Sequence, residues 1–250
     1  MRILIGSALL LSFVVGGTAA AQSTSLTRSE VTTVRAKLVA VQQAMGADPA
    51  GYVKESEDFS LPTDFNPAQG GKFWPITSSI RLRYTDKVST EGRANAEKAT
   101  QDFQAKYAAA AASGNVAALQ TMVQELQKLQ AAAMTPPVKQ TPMDVYVQLN
   151  QNPTLGIDPD AIVLERAGVI ALRDKNVSSD TGSVTVYVDP VALKNSSDLA
   201  KIELQTAQDG VGNKIGVYHV VIQLNGAVPD LEAWAKSFDY GAILGAIDAQ

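Results

Sequence analysis

The sequence contains no cysteine, and this absence excludes several classes of protein. Its 250 residues offer no thiol that could form a disulfide, attack a substrate or carry a lipid anchor through a thioether. Small exported domains held together by disulfides are therefore excluded, and so are enzymes with a cysteine nucleophile. The fold must be stabilised by the packing of its side chains.

Histidine is almost absent as well, since His219 is the only one. A tetrahedral zinc site would have to be completed by carboxylates alone, so zinc held by histidine and cysteine is not expected. His219 could act as the base of a Ser-His-Asp hydrolase, but no Gly-x-Ser-x-Gly motif accompanies it. A histidine on the outer face of a strand is the simpler interpretation, because geometry rather than composition defines a triad. We therefore predict no catalytic residue, no metal ligand and no cofactor.

Basic residues are fewer than acidic ones, 21 against 25, which gives a formal net charge of −4. An acidic chain is repelled by the phosphates of DNA and RNA, so nucleic acid is not expected as a partner. Because a signal peptide is predicted, the expected partner is instead an unknown ligand or protein of the cell envelope.

Long apolar runs are missing except at the N-terminus. Arg2 supplies a positive end, Ile3–Val15 is apolar and uncharged, and three alanines end at Ala21. This pattern predicts a signal peptide over residues 1–21. A membrane anchor is the alternative, but glycines interrupt the run and it is shorter than the ~20 residues that a spanning helix needs. We expect a periplasmic or secreted protein, cleaved near Ala21 and without a transmembrane segment in the mature chain.

Region 22–134 is predicted to be rich in helix. Thr27 and Glu30 have the spacing of a capping box, and apolar residues then recur at steps of three and four as far as Met45. Residues 47–77 instead contain four prolines and five of the aromatic residues and show no sustained period. We predict a long irregular segment there. It is either a lid over a ligand or, as we prefer, a wrap whose aromatic side chains fill the core.

A strand over 79–85 and then a helical hairpin are predicted next. The first helix, about 91–112, carries Phe103 and Tyr107 on one stripe, and the second, about 115–133, has Leu126 in an apolar stripe of its own. The second stripe is too short to indicate a coiled coil, which needs at least ~3–4 heptads. A packed antiparallel pair of helices is the better interpretation.

The pair Pro136-Pro137 cannot continue a helix and is therefore predicted to end the hairpin. Region 135–250, which includes this pair at its start, is predicted to be mainly β. Alternating residues predict strands over 144–150, 183–188 and 218–224. A short helix is compatible with 197–208, and a C-terminal helix is predicted from about Pro229. The predicted fold class is α+β, with N-terminal helices, including the hairpin, packed on or beside a mainly antiparallel sheet. The two regions form either one domain or two.

Two loops come close to binding motifs without matching them. Residues 174–182 place oxygen-bearing side chains at every second position, but Ser179 and Thr185 stand where an EF-hand needs glycine and glutamate. In 209–216 the third glycine of a dinucleotide-binding loop is one residue late, and a strand follows where a helix is required. A polar turn and a hairpin loop explain these residues.

The strand pattern does indicate one candidate ligand-binding surface. If the four strands share a sheet with their aliphatic side chains on one face, the other face is polar and aromatic. Its candidate ligand-binding residues are Arg81, Arg83, Tyr146, Tyr187 and His219, with Gln148 and Gln223 beside them. Aromatic rings could stack on a sugar or peptide, and guanidinium groups could hold anionic groups.

The expected function is that of an exported soluble envelope protein that binds a ligand or partner and is not an enzyme. This expectation follows largely from the missing catalytic signatures. Two alternatives stay open: a metal-free, carboxylate-dependent hydrolase or lytic enzyme, and a structural subunit of an envelope assembly. A close carboxylate pair in a deep cleft would favour the hydrolase, and an exposed apolar helix stripe would favour the subunit.

The signal peptide generates the first testable prediction. Because small residues at Ala19, Ala20 and Ala21 suit the peptidase, N-terminal sequencing of exported protein should begin at Gln22. A mature chain that still begins at Met1 would contradict the predicted localisation.

Overall fold

The structure is a computed structural model, and it describes residues 24–66, 73–114, 121, 124, 127, 141–151, 154–174, 180–194, 200–205 and 213–248. Over these ranges the fold class is α+β, as predicted, with a mainly antiparallel sheet, helices and a C-terminal helix. The predicted signal peptide lies outside the described residues. The same holds for most of the second hairpin helix, for 175–179 of the first near-motif loop and for 209–212 of the second.

Seven strands form the main sheet. They are β1 Tyr52–Ser60, β2 Ser78–Asp86, β3 Met143–Leu149, β5 Ile162–Arg166, β6 Val169–Arg173, β7 Thr181–Val188 and β9 Val220–Ala227. Their order across the sheet is β1-β2-β3-β9-β7-β6-β5, and every neighbouring pair is antiparallel. The four strands predicted from alternation therefore lie side by side, as β2, β3, β9 and β7. Strands from regions 22–134 and 135–250 pair within this one sheet.

The core lies on one face of this sheet, which we call the inner face. Its fully buried residues alternate along the four central strands: Ile80, Leu82, Val145, Val147, Val184, Val186, Ile222 and Leu224. Helices α1 Arg28–Ala44, α3 Val228–Ser237 and α4 Tyr240–Gly245 pack against them. The apolar side chains that alternate along the strands thus pack against the apolar stripes of the helices in a single hydrophobic layer.

The predicted capping box begins α1. The Thr27 side chain accepts a hydrogen bond from the backbone N–H of Glu30, and the Glu30 carboxylate accepts one from the Thr27 N–H at 2.8 Å. Val34, Leu38 and Val41 are buried along the predicted stripe. Gly46 follows the helix with φ 81°, the left-handed conformation that glycine adopts without steric cost.

The prediction that 47–77 is irregular is wrong over Tyr52–Ser60, which forms β1. This strand lies at the edge of the sheet, most of its side chains are exposed, and its register shifts between Lys54 and Ser56. Charged side chains and bulges are common on edge strands because they hinder pairing with other chains. They also remove the alternation by which a strand is recognised in a sequence.

The aromatic residues of 47–77 divide between the core and the surface. Tyr52 is buried, and its hydroxyl donates to the Asp230 carboxylate at 3.2 Å or to the Thr141 carbonyl at 3.1 Å. Burial and the neighbouring Asp230 carboxylate raise the pKa of Tyr52 to about 12. Trp74, by contrast, is 49% exposed. The preferred interpretation, in which every aromatic residue fills the core, is therefore wrong for Trp74.

Helix α2, Lys87–Ala112, corresponds to the predicted first helix of the hairpin and begins four residues earlier. The Asp86 carboxylate caps it by accepting hydrogen bonds from the N–H groups of Val88 and Ser89. None of its 26 residues is buried. The Phe103 and Tyr107 rings stack on each other with centroids 6.3 Å apart, and Tyr107 is 51% exposed.

Candidate ligand-binding face

The predicted ligand-binding residues lie on the face of the main sheet opposite the core, which we call the outer face. The register places Arg81 beside Tyr146 and Tyr146 beside Gln223 on adjacent strands. Further along the sheet, Thr185 and Tyr187 occupy the same face of β7. The sheet therefore brings together the side chains that alternation assigned to one side.

A small second sheet covers one half of the outer face. It consists of β4, Thr154–Gly156, and β8, Lys201–Glu203. Their buried side chains form a second hydrophobic cluster with residues of the sheet beneath and of the segments that follow β7 and β8: Leu155, Ile170, Leu193, Ile202, Leu204 and Val221. The stretch 197–208, compatible with a helix in the sequence, thus contributes a strand. We call the part of the outer face beneath this sheet the covered half.

Tyr187 belongs to the covered half. Its ring packs against the second cluster, and burial raises the pKa of its hydroxyl. An aromatic side chain used in this way stabilises the contact between the two sheets. Tyr187 is therefore partly buried in this contact between the two sheets.

His219 is also covered, and the prediction that it lies exposed on the outer face is wrong. It precedes β9 and is 1% exposed. Its Nδ1 lies 2.8 Å from the carbonyl oxygen of Gln205, and its Nε2 contacts the carbonyl oxygen of Gln151. These carbonyls belong to the segments that lead out of β8 and into β4. The ring therefore ties the covering sheet to the main sheet, a role that alternation along one strand cannot reveal.

A buried carboxylate also helps to hold the covering sheet in place. Asp189 is fully buried directly after β7, and its oxygens accept hydrogen bonds from the N–H groups of Val191, Ala192 and Gln205. A buried carboxylate requires such partners, since an unpaired charge is costly away from water. Asp189 and His219 thus both bind the backbone of Gln205. These two contacts hold the end of β8 over the outer face.

Within the part of the chain that the structure describes, no second layer covers the other half of the outer face, which carries Arg81, Arg83 and Tyr146. The Arg81 guanidinium lies 5.3 Å from the centre of the Tyr146 ring and donates to the Asp144 carboxylate at 3.0 Å. This hydrogen bond raises the pKa of Arg81. Arg83 pairs with Glu55 at 3.5 Å. We call the surface formed by Arg81, Arg83, Asp144, Tyr146 and Gln223 the open half.

A shallow depression continues the open half toward the start of β2. It has a volume of about 310 Å³, including its open mouth. Its lining consists of Ser60, Thr77, Ser78, Ser79, Gln148, Leu149 and Gln151. Only Gln148 was included in the face derived from the sequence. The hydroxyl residues were missed because serine and threonine at strand ends are ordinary turn residues.

Comparison of the chain with models of protein families, with curated proteins and with solved structures found no match. Within the described ranges, no group of three or more His, Asp or Glu side chains is arranged to hold a metal ion. Nor is any of the helices described there both long and apolar enough to cross a bilayer.

The division of the outer face predicts different roles for its two tyrosines. Tyr187→Ala should lower the free energy of unfolding by about 2–4 kcal/mol, because it opens a cavity between the two sheets. Tyr146→Ala should cost less than ~1 kcal/mol, since its ring lies on an open surface. Urea unfolding of both variants, with Tyr187→Phe as the control that keeps the ring, measures this difference. Equal losses at the two positions would show that the outer face is not divided in this way.

Proposed function

We propose that this protein is an exported, soluble, non-enzymatic binding protein of the cell envelope, periplasmic or secreted, and that it binds its ligand or partner on the open half. The observation that supports the proposal most is the uneven use of one polar face. Half of it is buried under a second sheet, whereas Arg81 and Tyr146 remain at the surface of rigid central strands. Binding groups held on strands are better positioned than groups on loops.

The charges of the open half indicate what kind of ligand would suit it. Arg81 and Arg83 each face a carboxylate, Asp144 and Glu55 respectively. Ion pairs with this exposure contribute only ~0–1 kcal/mol, so a ligand can replace either partner at little cost. The surface therefore suits a ligand with both donors and acceptors better than a simple anion. Tyr146 adds a flat apolar surface beside these polar groups.

Ligand titrations of a double variant test this proposal. Thermal shift assays should first identify compounds that raise the melting temperature of the mature protein, from a panel of oligosaccharides and peptides. Arg81→Ala combined with Tyr146→Ala should then weaken binding of such a compound by about tenfold or more, as expected when central aromatic and arginine contacts are removed.

The matched control is Arg93→Ala combined with Tyr107→Ala, which removes the same two residue types from α2. The control should keep the affinity of the unmodified protein. Equal affinities of the test and control variants would contradict binding at the open half. Hydrolysis of a compound from the panel would support the alternative of a carboxylate-dependent hydrolase.

We also propose that α2 forms a helical hairpin with residues 115–133. Helix α2 buries none of its residues, yet Ala99 and Phe103 of the predicted stripe are partly shielded. In the next segment Thr121, Gln124 and Gln127 are helical and exposed. Polar residues at steps of three mark the outward side of an amphipathic helix, which leaves Leu126 on the other side.

A pair of substitutions tests the hairpin. Leu126→Asp should lower the free energy of unfolding of this unit by roughly 3 kcal/mol or more, because it places a charge in an apolar contact. Gln124→Asp should have little effect, and helix content followed by circular dichroism during unfolding gives the comparison. Equal effects would contradict the hairpin. If Phe103→Asp instead converted an oligomer into a monomer in sedimentation experiments, the exposed stripe would favour the structural-subunit alternative.

A further inference from the structure

We propose that His219 is a pH-dependent lock, whose protonated ring holds the covering sheet on the main sheet and whose deprotonation loosens it. The covering sheet consists of β4 and β8, which have three residues each. Two strands of this length are at best marginally stable by themselves. Their position therefore depends on the contacts that they make with the sheet beneath, and His219 supplies two of these contacts.

The His219 ring faces a backbone carbonyl on either side. Its Nδ1 lies 2.8 Å from the oxygen of Gln205, and its Nε2 contacts the oxygen of Gln151. A carbonyl oxygen only accepts hydrogen bonds, whereas a neutral imidazole has one donor nitrogen and one acceptor nitrogen. Only the imidazolium form, which carries a proton on each nitrogen, can donate to both carbonyls. In the neutral ring one nitrogen lone pair would face a carbonyl lone pair, and one of the two contacts would be lost.

A buried carboxylate next to the ring supplies the opposite charge. Strands β7 and β9 pair as far as Val188 and Val220, and the residues one step beyond this pair are Asp189 and His219. Both are buried, with 0% and 1% of their surface exposed. The Gln205 N–H donates to the Asp189 carboxylate, and the Gln205 carbonyl faces the imidazole ring. Buried charges are retained in proteins where they are paired and hydrogen-bonded, and this position offers the imidazolium both.

The other titratable side chains on the described elements around the ring do not share its hydrogen bonds. Tyr187 lies on β7, and burial raises the pKa of its hydroxyl above the ordinary value. Lys194, Lys201 and Glu203 are exposed, and the last two pair with each other at 3.4 Å. Histidine is the side chain that ordinarily changes charge between about pH 5 and 8. A change in the covering sheet within this window would therefore report on His219.

The geometry fixes the direction of the pH effect. Because the two carbonyls favour the protonated ring, the ring stabilises the covering sheet at acidic pH, and this contribution is lost as the pH rises through the titration of His219. Opening of the covering sheet would expose Tyr187 and the rest of the covered half. The binding surface would then be larger when the ring is neutral, a consequence that rests on the proposed function, whereas the lock itself does not.

Nuclear magnetic resonance of the untagged mature protein tests the protonation state. Because His219 is the only histidine, its ring signals are identified without further assignment. At about pH 5 both ring nitrogens should carry a proton, and at about pH 8 only one of them should.

Hydrogen exchange at the same two pH values tests the covering sheet. The reporters are the amide of Ile157, which donates to the Ala200 carbonyl, and the amide of Gln205. Their protection factors, corrected for intrinsic exchange, should fall about tenfold or more at the higher pH, the loss expected from one hydrogen bond to a charged group. Amides of Val147 and Val186 in the central strands are the internal control and should keep their protection.

His219→Gln separates the charge of the ring from its other contacts. Glutamine keeps a side-chain donor but carries no charge at any pH. In this variant the protection of Ile157 and Gln205 should be lower than in the unmodified protein at about pH 5 and should no longer change between about pH 5 and 8. The measurements on the unmodified protein decide the question even where this variant fails to fold.

Three results would overturn the lock: a single protonated ring nitrogen at the acidic pH, equal protection of the reporter amides at both pH values, or the same pH dependence in His219→Gln. None of these results involves a ligand. If they are not observed but the Arg81/Tyr146 double variant binds every panel compound like its control, the proposed function fails and the lock stands.

Discussion

The aliphatic layer between the inner face of the sheet and three helices is the contact on which the other features of this fold depend. Side chains such as Val147, Val186 and Ile222 are fully buried in it, and Leu38 and Leu231 meet them from α1 and α3. Burial of apolar area contributes roughly 25 cal/mol per Å², and this chain has no disulfide to add to it. Because alternate side chains of each strand point into this layer, the side chains between them point to the opposite face of the sheet. The candidate binding face is that surface.

The outer face shows how polar contacts decide which part of a surface remains available. Ile202 and Leu204 bring apolar side chains to the covered half, but apolar contact alone does not fix an orientation. The orientation is fixed by the hydrogen bonds that the Gln205 backbone makes with the Asp189 carboxylate and the His219 ring. No described residue covers the open half in this way, and its ion pairs are exposed and easily exchanged. Stability and recognition thus occupy neighbouring parts of one face.

A buried asparagine links this arrangement to the depression. Asn150 directly follows β3 and has φ 56°, a conformation that asparagine tolerates better than most residues. Its side chain donates to the carbonyls of Ile76 and Gly216 and accepts from the N–H of Tyr218. These bonds hold the segment that leads into Ser78 against the end of β3. The lining of the depression is therefore positioned by a polar contact within the core and not by the loop alone.

The sequence by itself determined the elements whose residues follow a regular period. Alternation identified β2, β3, β7 and β9, and the capping box with its stripe identified α1, because period and caps are local properties of the chain. The tertiary structure alone decided which strands are neighbours, that the polar residues of β1 form an edge strand, and that His219 and Tyr187 are covered. Each of these depends on residues distant in the chain: Gln151 and Gln205 on His219, and β8 on Tyr187.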